Sequence, residues 1–372
     1  MSRVPPTPAE QPDAAARPPG WDAGWQQVWD ARNPTHAGRV PVRVVRIDKG
    51  GITVSAHAGD ERLVVAAKAV RRVVVGDVCA LDDDAGRIEE ILARRTVFER
   101  RSPGGDRADV AITAKALAAN MDVVLVLQGL DAGVNTSRLA REMVLAWESG
   151  ARPVVVLTKA DLVEAAERER QRAEAQRFAP GVPVACVASR IGDDRSASEL
   201  AELRPHLSAG AVSVLLGSSG AGKSTLANAL AGHPVQLTAE VREGDRRGRH
   251  TTTAGQMIPL ADGSWLIDTP GIRGVGLWQA DEGLEKAFAD LAPFAQHCRF
   301  EDCTHRREPG CGVTAAVAAG DVGADRLEVW HELIAEIEQL EDEMEQHDRD
   351  VERQVNQRAR FRAQHQRGKP RQ

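Results

Sequence analysis

Tyrosine is absent from this 372-residue sequence and aromatic residues make up only 3% of it, so Val, Leu, Ile and Ala must fill any hydrophobic core. No run approaches the roughly 18 apolar residues that a membrane helix needs. Residues 1–20 are rich in proline and lack the apolar segment of a secretory signal. We therefore expect a cytoplasmic protein without membrane contact.

Cysteine is also scarce, and three of the five cysteines lie in the short pattern Cys298-x4-Cys303-x-His305-x5-Cys311. An odd count with such clustering favours a metal site over disulfides. Three thiolates and one imidazole form the ligand set of a closed, tetrahedral structural zinc site. His297, beside Cys298, is the alternative imidazole ligand.

The spacing of apolar residues changes along the chain, which predicts separate domains. A five-stranded barrel of the OB type is expected first, then a stretch typical of a linker at 94–110, then a parallel, doubly wound α/β sheet, and last a helical region around the cysteines. The barrel strands are predicted at 40–47, 52–56, 63–67, 73–78 and 87–91. The strands of the parallel sheet are predicted at 123–127, 154–157, 184–187, 212–216 and 265–267.

The two termini differ from the rest in composition. Trp21, Trp25 and Trp29 recur every four residues, which predicts a short helix with an apolar docking face. After Glu352 there are seven cations and no acid, although the whole chain carries a net charge of -6. We expect this basic tail to contact RNA phosphates, the alternative being a solvated, disordered end.

The strongest motif is GSSGAGKST at 217–225, which fits G-x-x-x-x-G-K-[ST] between a predicted strand and a helix. Glycines let the backbone wrap a phosphate chain with its N–H groups pointing inward. Lys223 neutralises charge on the β- and γ-phosphates, and the Ser224 hydroxyl is a ligand for Mg²⁺. The motif therefore predicts a nucleoside triphosphate site.

The choice of base rests on Thr158-Lys159-Ala160-Asp161, which follows a predicted strand. The Asp161 carboxylate can accept both hydrogen bonds from N1–H and N2–H₂ of guanine, a donor pair that adenine lacks. The guanine motif N-K-x-D recognises its base in this way, and here Thr158 stands in place of the Asn. The Asn amide would hydrogen-bond to the phosphate loop, and the Thr158 hydroxyl can replace part of that contact. Ala188-Ser189 stands where GTPases carry a second base-contacting loop.

The remaining nucleotide motifs follow the phosphate loop in sequence. Asp268-Thr269-Pro270-Gly271 fits D-x-x-G, so Asp268 can reach Mg²⁺ through water and the Gly271 N–H can reach a γ-phosphate. A threonine-rich loop at 251–253 can place a hydroxyl on Mg²⁺, and we assign this role to Thr252. Because the base-reading motifs precede the phosphate loop, the order predicts a circularly permuted GTPase, whose site survives because the carboxyl ends of parallel strands meet in space.

This motif order, the preceding barrel and the Cys/His cluster together resemble the ribosome small subunit-dependent GTPases, the RsgA (YjeQ) family, over about residues 40–350. The segments GRHTTT, IDTPGIRGVGLW and LAANMD also resemble that family. The resemblance implies a GTPase that acts late in maturation of the 30S subunit, is stimulated by it, and contacts rRNA through the barrel and the zinc domain. It further implies that His250 orients the attacking water, since Ile272 stands where Ras-like enzymes have a Gln.

We therefore predict an α/β fold: a circularly permuted P-loop GTPase domain with an N-terminal OB-type β-barrel and a C-terminal helical zinc-binding domain. A monomer using GTP, Mg²⁺ and one structural Zn²⁺ is expected. The alternatives are a nucleotide-propped RNA-binding scaffold without turnover and an ATP-using small-molecule kinase. The predicted segments are a flexible extension (1–38), the barrel (39–95), the GTPase domain (108–274), the zinc domain (275–350) and the basic tail (351–372).

The predicted site residues fall into four groups. The catalytic residues are His250, Lys223 and Thr252. The GTP-binding residues are Thr158, Lys159, Ala160, Asp161, Ala188, Ser189, Gly217, Ser218, Ser219, Gly220, Ala221, Gly222, Lys223, Ser224, Thr225, Asp268 and Gly271. The magnesium ligands are Ser224, Thr252 and Asp268, and the zinc ligands are Cys298, Cys303, His305 and Cys311.

Overall fold

The structure is a computed structural model, which describes residues 17–32, 38–70, 72–102, 113–188, 200–235, 237, 255–269, 276–277 and 280–367. The helices are α1 (Ala23–Ala31), α2 (Thr136–Glu148), α3 (Ala165–Phe178), α4 (Lys223–Ala231), α5 (Asp281–Ala287), α6 (Ala292–Ala295), α7 (Gly312–Ala319) and α8 (Ala324–Arg367). The strands are β1 (Arg39–Asp48), β2 (Gly51–Ser55), β3 (Glu61–Ala66), β4 (Val78–Asp82), β5 (Arg87–Ile91), β6 (Val97–Ser102), β7 (Thr113–Ala119), β8 (Val123–Gly129), β9 (Arg152–Thr158), β10 (Val184–Cys186), β11 (Val212–Gly217), β12 (Gly255–Pro259) and β13 (Trp265–Asp268).

Strands β1 to β5 form the expected barrel. They are joined in the order β1-β2-β3-β5-β4 and β4 pairs back with β1, so the sheet closes on itself. The β3–β5 pair is parallel and the other pairs are antiparallel. Val42, Val54 and Ile88 fill the interior. Closure removes exposed strand edges, which is how small antiparallel sheets avoid pairing with other chains.

The fourth barrel strand lies later than predicted. The sequence predicts it at 73–78, but β4 begins at Val78 because Gly76 (φ +89°) and Asp77 form a turn. The buried Asp77 carboxylate accepts a hydrogen bond from the Val74 N–H at 2.8 Å and is ion-paired with Arg94. A carboxylate that accepts hydrogen bonds from nearby backbone N–H groups favours a turn over continued pairing of the strand.

The second sheet has the order β10-β9-β8-β11-β13-β12, all parallel except β12. Its central strands are apolar throughout because both faces are covered. On β8, Val124 and Val126 pack in the core that contains α2 and α3, whereas Val123, Leu125 and Leu127 pack in the core that contains α4. Alternate residues of one strand therefore serve two helical layers.

The two sheets are continuous in the described part of the chain, because β12 pairs with β1 in the registers Arg46↔Gln256 and Ile47↔Gly255. The prediction of a linker at 94–110 is wrong for the first part of that segment. Residues Val97–Ser102 form β6, which pairs antiparallel with β7 in a separate two-stranded sheet. This strand was not predicted because the segment is basic and polar and lacks the apolar pattern of a buried strand.

The predicted tryptophan helix is present as α1. Its N-cap Asp22 accepts from the Trp25 N–H at 2.7 Å, and Trp25 packs on Val78 and Leu92 of the barrel region. Part of the segment expected as a flexible extension is thus docked, while residues 1–16 lie outside the described residues.

Helices α5 to α8 build the C-terminal region against α2 and α3. Leu327, Leu333 and Ile337 of α8 belong to the same buried core as Met143 of α2. Helix α8 has 44 residues and continues past residue 350, where the basic tail was predicted to begin, to Arg367. None of the helices in the described ranges combines the length with the apolar composition of a membrane span.

Candidate nucleotide site and metal centre

The phosphate loop connects β11 to α4, and its glycines adopt backbone conformations that side chains disfavour. Gly217 has φ +152° and Gly222 has φ +83°. A Cβ on Gly217 would lie 2.8 Å from the Leu127 carbonyl oxygen, and one on Gly222 would lie 3.2 Å from the Thr158 hydroxyl. These positions therefore need glycine for conformation and for space. Ser224 is exposed on the first turn of α4, beyond the loop.

Lys223 is only 5% exposed, and its ammonium is folded back over the loop. It donates to the Gly217 carbonyl at 2.8 Å and also to the Ser218 carbonyl. Lys223 lines a pocket together with Asp268 and Thr269, which lie at the end of β13. The structure thus brings the predicted phosphate lysine and the predicted magnesium aspartate to one cavity.

Thr158 is the residue that departs from the N-K-x-D motif, and the structure gives it a specific contact. It is completely buried, and its hydroxyl lies 2.8 Å from the Ala221 carbonyl of the phosphate loop and 3.3 Å from the Gln128 carbonyl. The hydroxyl has one proton, so it donates to the nearer Ala221. Thr158 therefore ties the base-reading loop to the phosphate loop across 63 residues.

The base-reading loop is fixed by its neighbours. Lys159 adopts a left-handed conformation (φ +59°), and its ammonium pairs with Asp131 at 2.7 Å. The Ala160 N–H donates to the Val187 carbonyl at 3.2 Å, which places this loop beside the buried Ala188. Asp161 is exposed.

Strand pairing explains why these loops lie together. In the parallel sheet, Gly217 pairs with Leu127 and Gly129 pairs with Thr158, so β8, β9 and β11 end side by side. Loops that follow the carboxyl ends of such strands form one crevice. Ser189, His250, Thr252 and Gly271 lie outside the described residues.

One buried acid beside this crevice was not predicted from the sequence. Glu142 of α2 accepts from the Gln128 side-chain amide at 2.8 Å, and Gln128 stands near the carboxyl end of β8. Burial raises the pKa of Glu142 to about 7, although Gln128 and the charges of Arg138 and Lys223 oppose that rise. The only available signal was a carboxylate among the apolar residues of an amphipathic helix.

The metal centre is assembled by the cluster in the C-terminal region. The ligand atoms of Cys298, Cys303, His305 and Cys311 all lie within 4.8 Å of one another. The Cys298 and Cys311 sulfurs are 3.8 Å apart, and His305 Nδ1 is 3.5 Å and 3.4 Å from them. With Zn–S near 2.3 Å and Zn–N near 2.0 Å, a tetrahedral site has edges of about 3.5–3.8 Å, so these residues fit zinc.

Surrounding groups favour the metal-binding form of this cluster. Burial disfavours a thiolate at Cys311, but hydrogen bonds from Thr314, His305 and Cys303 outweigh it and lower the pKa of Cys311 to about 6. The Gly312 N–H points at the Cys298 sulfur at 3.3 Å. Backbone N–H groups directed at sulfur are a typical support for thiolate ligands. His297 is not among the four clustered ligands.

A single carboxylate shapes the loop between the second and fourth ligands. Glu308 accepts from the Thr304 hydroxyl and from the N–H groups of Thr304, Arg306 and Arg307, the last three at 2.9–3.0 Å. These donors, led by the Thr304 hydroxyl, lower the pKa of Glu308 to about 2. The turn that presents His305 is thus fixed by hydrogen bonds that persist at neutral pH.

Comparisons with known proteins agree with this geometry. Residues 91–278 match the family model described as RsgA GTPase. The chain is 41% identical over 330 residues to the Small ribosomal subunit biogenesis GTPase RsgA of Streptomyces avermitilis, covering 87% of this chain and 86% of that protein. The protein of the same name from Methanosarcina acetivorans is 37% identical over 333 residues, covering 86% and 84%. The chain belongs to the RsgA GTPase family.

Solved structures show the same architecture. YjeQ from Thermotoga maritima aligns with a TM-score of 0.61 and 25% identity, covering 80% of this chain and 99% of that one. YloQ, described as a circularly permuted GTPase, aligns with a TM-score of 0.57 and 22% identity, covering 82% and 96%. The predicted fold class, with its permuted motif order, is confirmed. As a member of a GTPase family the protein hydrolyses GTP, so the alternative of an ATP-using kinase is wrong.

Proposed function

We propose that the protein hydrolyses GTP as a maturation factor of the small ribosomal subunit, with that subunit as stimulating partner. The observation that carries the proposal is the convergence of two distant motifs: the Thr158 hydroxyl reaches Ala221, so the base-reading and phosphate-binding loops flank one crevice. Relatives that are 36–41% identical are named as GTPases of small-subunit biogenesis, which supports the choice of partner.

The phosphate end of the crevice holds the triphosphate in this proposal. The backbone N–H groups of residues 217–225 and the ammonium of Lys223 neutralise phosphate charge, as in other P-loop proteins. Ser224, Asp268 and Thr252 hold Mg²⁺, which supplies charge neutralisation on the phosphates. The exposed hydroxyl of Ser224 and the shared pocket of Lys223 and Asp268 support these assignments.

The other end of the crevice reads the base. The Asp161 carboxylate accepts from guanine N1–H and N2–H₂, and the Lys159 side chain covers the ring. The ion pair of Lys159 with Asp131 holds the lysine stem beside Gly129, where a Cβ would approach its Nζ to 3.6 Å. Ala188 and Ser189 complete the base pocket through backbone contacts.

Hydrolysis needs a residue that orients water, and Ile272 after D-x-x-G is a hydrocarbon. His250 takes that role in our proposal, as the family resemblance implies. Its imidazole can accept a proton or hold a water at neutral pH, which the isoleucine side chain cannot.

Zinc is assigned a structural role at Cys298, Cys303, His305 and Cys311. Four protein ligands leave no position for a substrate, so the metal stabilises the fold of the helical domain. The proposal also includes the domain boundaries given in the sequence analysis. It further includes a monomeric protein that acts in the cytoplasm and contacts RNA through the barrel, the zinc domain and the basic tail.

Release of phosphate from GTP by the purified protein, with and without isolated 30S subunits, tests the proposal. We expect slow turnover alone and a marked increase with 30S subunits. A Lys223→Ala variant should lose turnover in both conditions, and Arg170→Ala, an exposed variant on α3 of the GTPase domain, is the control. If the protein did not hydrolyse GTP in either condition, the alternative of an RNA-binding scaffold without turnover would replace the proposal. Turnover without stimulation by 30S subunits would contradict the choice of partner.

Nucleotide choice is tested separately with Asp161→Asn. The amide loses the double acceptor for guanine and gains a donor that matches the C2 oxygen of xanthine. We expect GTP affinity to fall by about 100-fold or more and xanthosine triphosphate to become the better substrate. If Asp161→Asn left the affinity for GTP unchanged, Asp161 would not contact the guanine base.

The zinc assignment has its own readout. Metal analysis should find one zinc per chain, and a strong chelator should unfold α7 and the start of α8 before the GTPase sheet. Hydrogen exchange resolves the two regions. A metal-free protein in which both regions stay protected would contradict the structural role.

A further inference from the structure

A cavity of about 250 Å³ lies between the barrel, the segment that follows it and the GTPase sheet. Three arginines line it: Arg43 from β1, Arg95 from the connection to β6, and Arg152 from the start of β9. Asp122 and Trp25 also line it. Three guanidinium groups against the one carboxylate of Asp122 give the lining a net positive charge, which attracts anions.

Arg43 is the most deeply buried of the three. Its side chain is 1% exposed, and it donates to the Asn120 carbonyl at 2.7 Å and to the Pro19 carbonyl at 3.5 Å. Its Nε has no hydrogen-bond partner, and no carboxylate of the described residues forms an ion pair with it. Burial lowers the pKa of Arg43 to about 10, although the charges of Asp122 and Asp77 oppose that fall. A bound anion would stabilise the buried charge further.

The other charges leave room for that anion. Arg95 is occupied by Asp22, with Nη–Oδ distances of 2.6 and 3.0 Å. Asp122 already accepts from the Val212 N–H at 2.8 Å. Arg152 is exposed, and its guanidinium donates to the His206 carbonyl at 3.2 Å and lies 3.5 Å from the His206 Nδ1. Arg43 and Arg152 therefore both lack a carboxylate partner within the described part of the chain.

This cavity is separate from the nucleotide crevice. Asp122 and Arg152 stand at the amino ends of β8 and β9, whereas Gly129 and Thr158 end the same strands at the crevice. Seven residues of strand separate the two sites by about 20 Å. The volume is below the range of pockets for drug-sized ligands, which suits a small anion.

We propose that this cavity binds a phosphate-bearing small anion, such as inorganic phosphate or pyrophosphate, through Arg43 and Arg152. Guanidinium groups match the tetrahedral oxygens of phosphate with paired, charge-assisted hydrogen bonds. The bound anion connects the barrel to the GTPase sheet, because Arg43 belongs to the first and Arg152 to the second.

Pyrophosphate titration of the full-length protein loaded with GDP tests the proposal, since GDP occupies the phosphate loop. Arginine Nε–H resonances report where binding occurs. We expect saturable binding that shifts the Arg43 Nε–H signal, and about tenfold weaker binding in Arg152→Gln, since one charge-assisted contact is lost. Arg46→Gln, an exposed arginine on the same strand, should bind like wild type.

Arg43→Met removes the buried charge, and we expect it to abolish pyrophosphate binding while GTP hydrolysis continues. If that variant does not fold, Arg152→Gln still decides, because Arg152 is exposed. The proposal is overturned if the GDP-loaded protein shows no saturable binding in the millimolar range. It is also overturned if Arg152→Gln and wild type bind pyrophosphate equally, whatever the outcome of the GTPase assay.

Discussion

The GTPase sheet is joined to its two neighbours in physically different ways. On the barrel side the contact includes backbone pairing: β12 pairs with β1, and the Ala119 N–H at the end of β7 donates to the Val75 carbonyl at 3.0 Å. On the helical side no strand pairing is present in the described residues, and side chains such as Arg326 of α8, which is 2% exposed, make the contact. Arg326 donates to the Phe178 carbonyl of α3 at 3.2 Å, and within the helical region it bonds both oxygens of Asp290 at 2.7 Å and the Ala287 carbonyl.

The barrel pairs with the first residues of β12, Gly255 and Gln256, which come shortly after the threonine-rich loop at 251–253. The helical region instead rests on α2 and α3, near the base-reading loops.

Loss of Arg326 should have the largest effect. Arg326→Ala removes a buried ion pair and leaves the Ala287 and Phe178 carbonyls without their donors. We expect the free energy of unfolding to fall by about 3–5 kcal/mol. Chemical denaturation measures this, with Arg177→Ala, which breaks an exposed pair with Asp325, as the control. A loss below about 1 kcal/mol would mean that packing alone holds the helical region.

Glu142 should make stability depend on pH. Burial raises its pKa to about 7 in the folded protein from 4.5, so the stability linked to its proton is complete below pH 4.5 and is lost as pH rises through 7. Glu142→Gln keeps a hydrogen-bonding group for Gln128 without that charge. We expect the variant to exceed wild type by up to about 3 kcal/mol above pH 7 and to match it at low pH.

Unfolding free energies of both proteins at several pH values between 4.5 and 8 provide the measurement. A difference that does not vary with pH would show that Glu142 titrates normally. This pH effect concerns the contact between the GTPase sheet and the helical region, because Glu142 lies on α2, the helix that also contacts α5.

Two glycines allow a matched test of the two junctions. A Cβ on Gly283 of α5 would collide with the Val144 backbone carbonyl, whereas one on Gly255 of β12 would meet a Val75 methyl group at 3.0 Å. We expect Gly283→Ala to destabilise by about 2–3 kcal/mol, since backbone must move, and Gly255→Ala by less than about 1 kcal/mol. Melting temperatures rank the two variants, and the reverse order would contradict the description of the junctions.

The smallest effect is expected at the rim of the helical junction. Arg141 and Glu336 form an ion pair at 2.9 Å, with about a third of each side chain exposed. Arg141→Gln should change the free energy of unfolding by about 0–0.5 kcal/mol, because solvent screens such pairs. If salt or this substitution weakens docking strongly, the rim contributes more than the buried Arg326.

Sequence patterns predicted local elements well where the chain is apolar and regular. The strands expected at 123–127, 154–157 and 212–216 appear as β8, β9 and β11 with ends shifted by at most two residues. Runs buried on both faces give a clear signal. The pattern failed at β4 and β6, where a buried Asp77 and a stretch of arginines set the local structure.

The sequence by itself determined which motifs the chain carries and in what order: G-x-x-x-x-G-K-[ST], the variant of N-K-x-D, D-x-x-G and the Cys/His cluster. Those signals are local, because the glycines, the lysine and the ligand spacing each act within a few residues. Only the tertiary structure decided which distant groups meet. The Thr158–Ala221 contact, the burial of Arg43 and the Arg326 junction all join residues far apart in the chain. Such contacts depend on how strands and helices pack, which no short sequence pattern encodes.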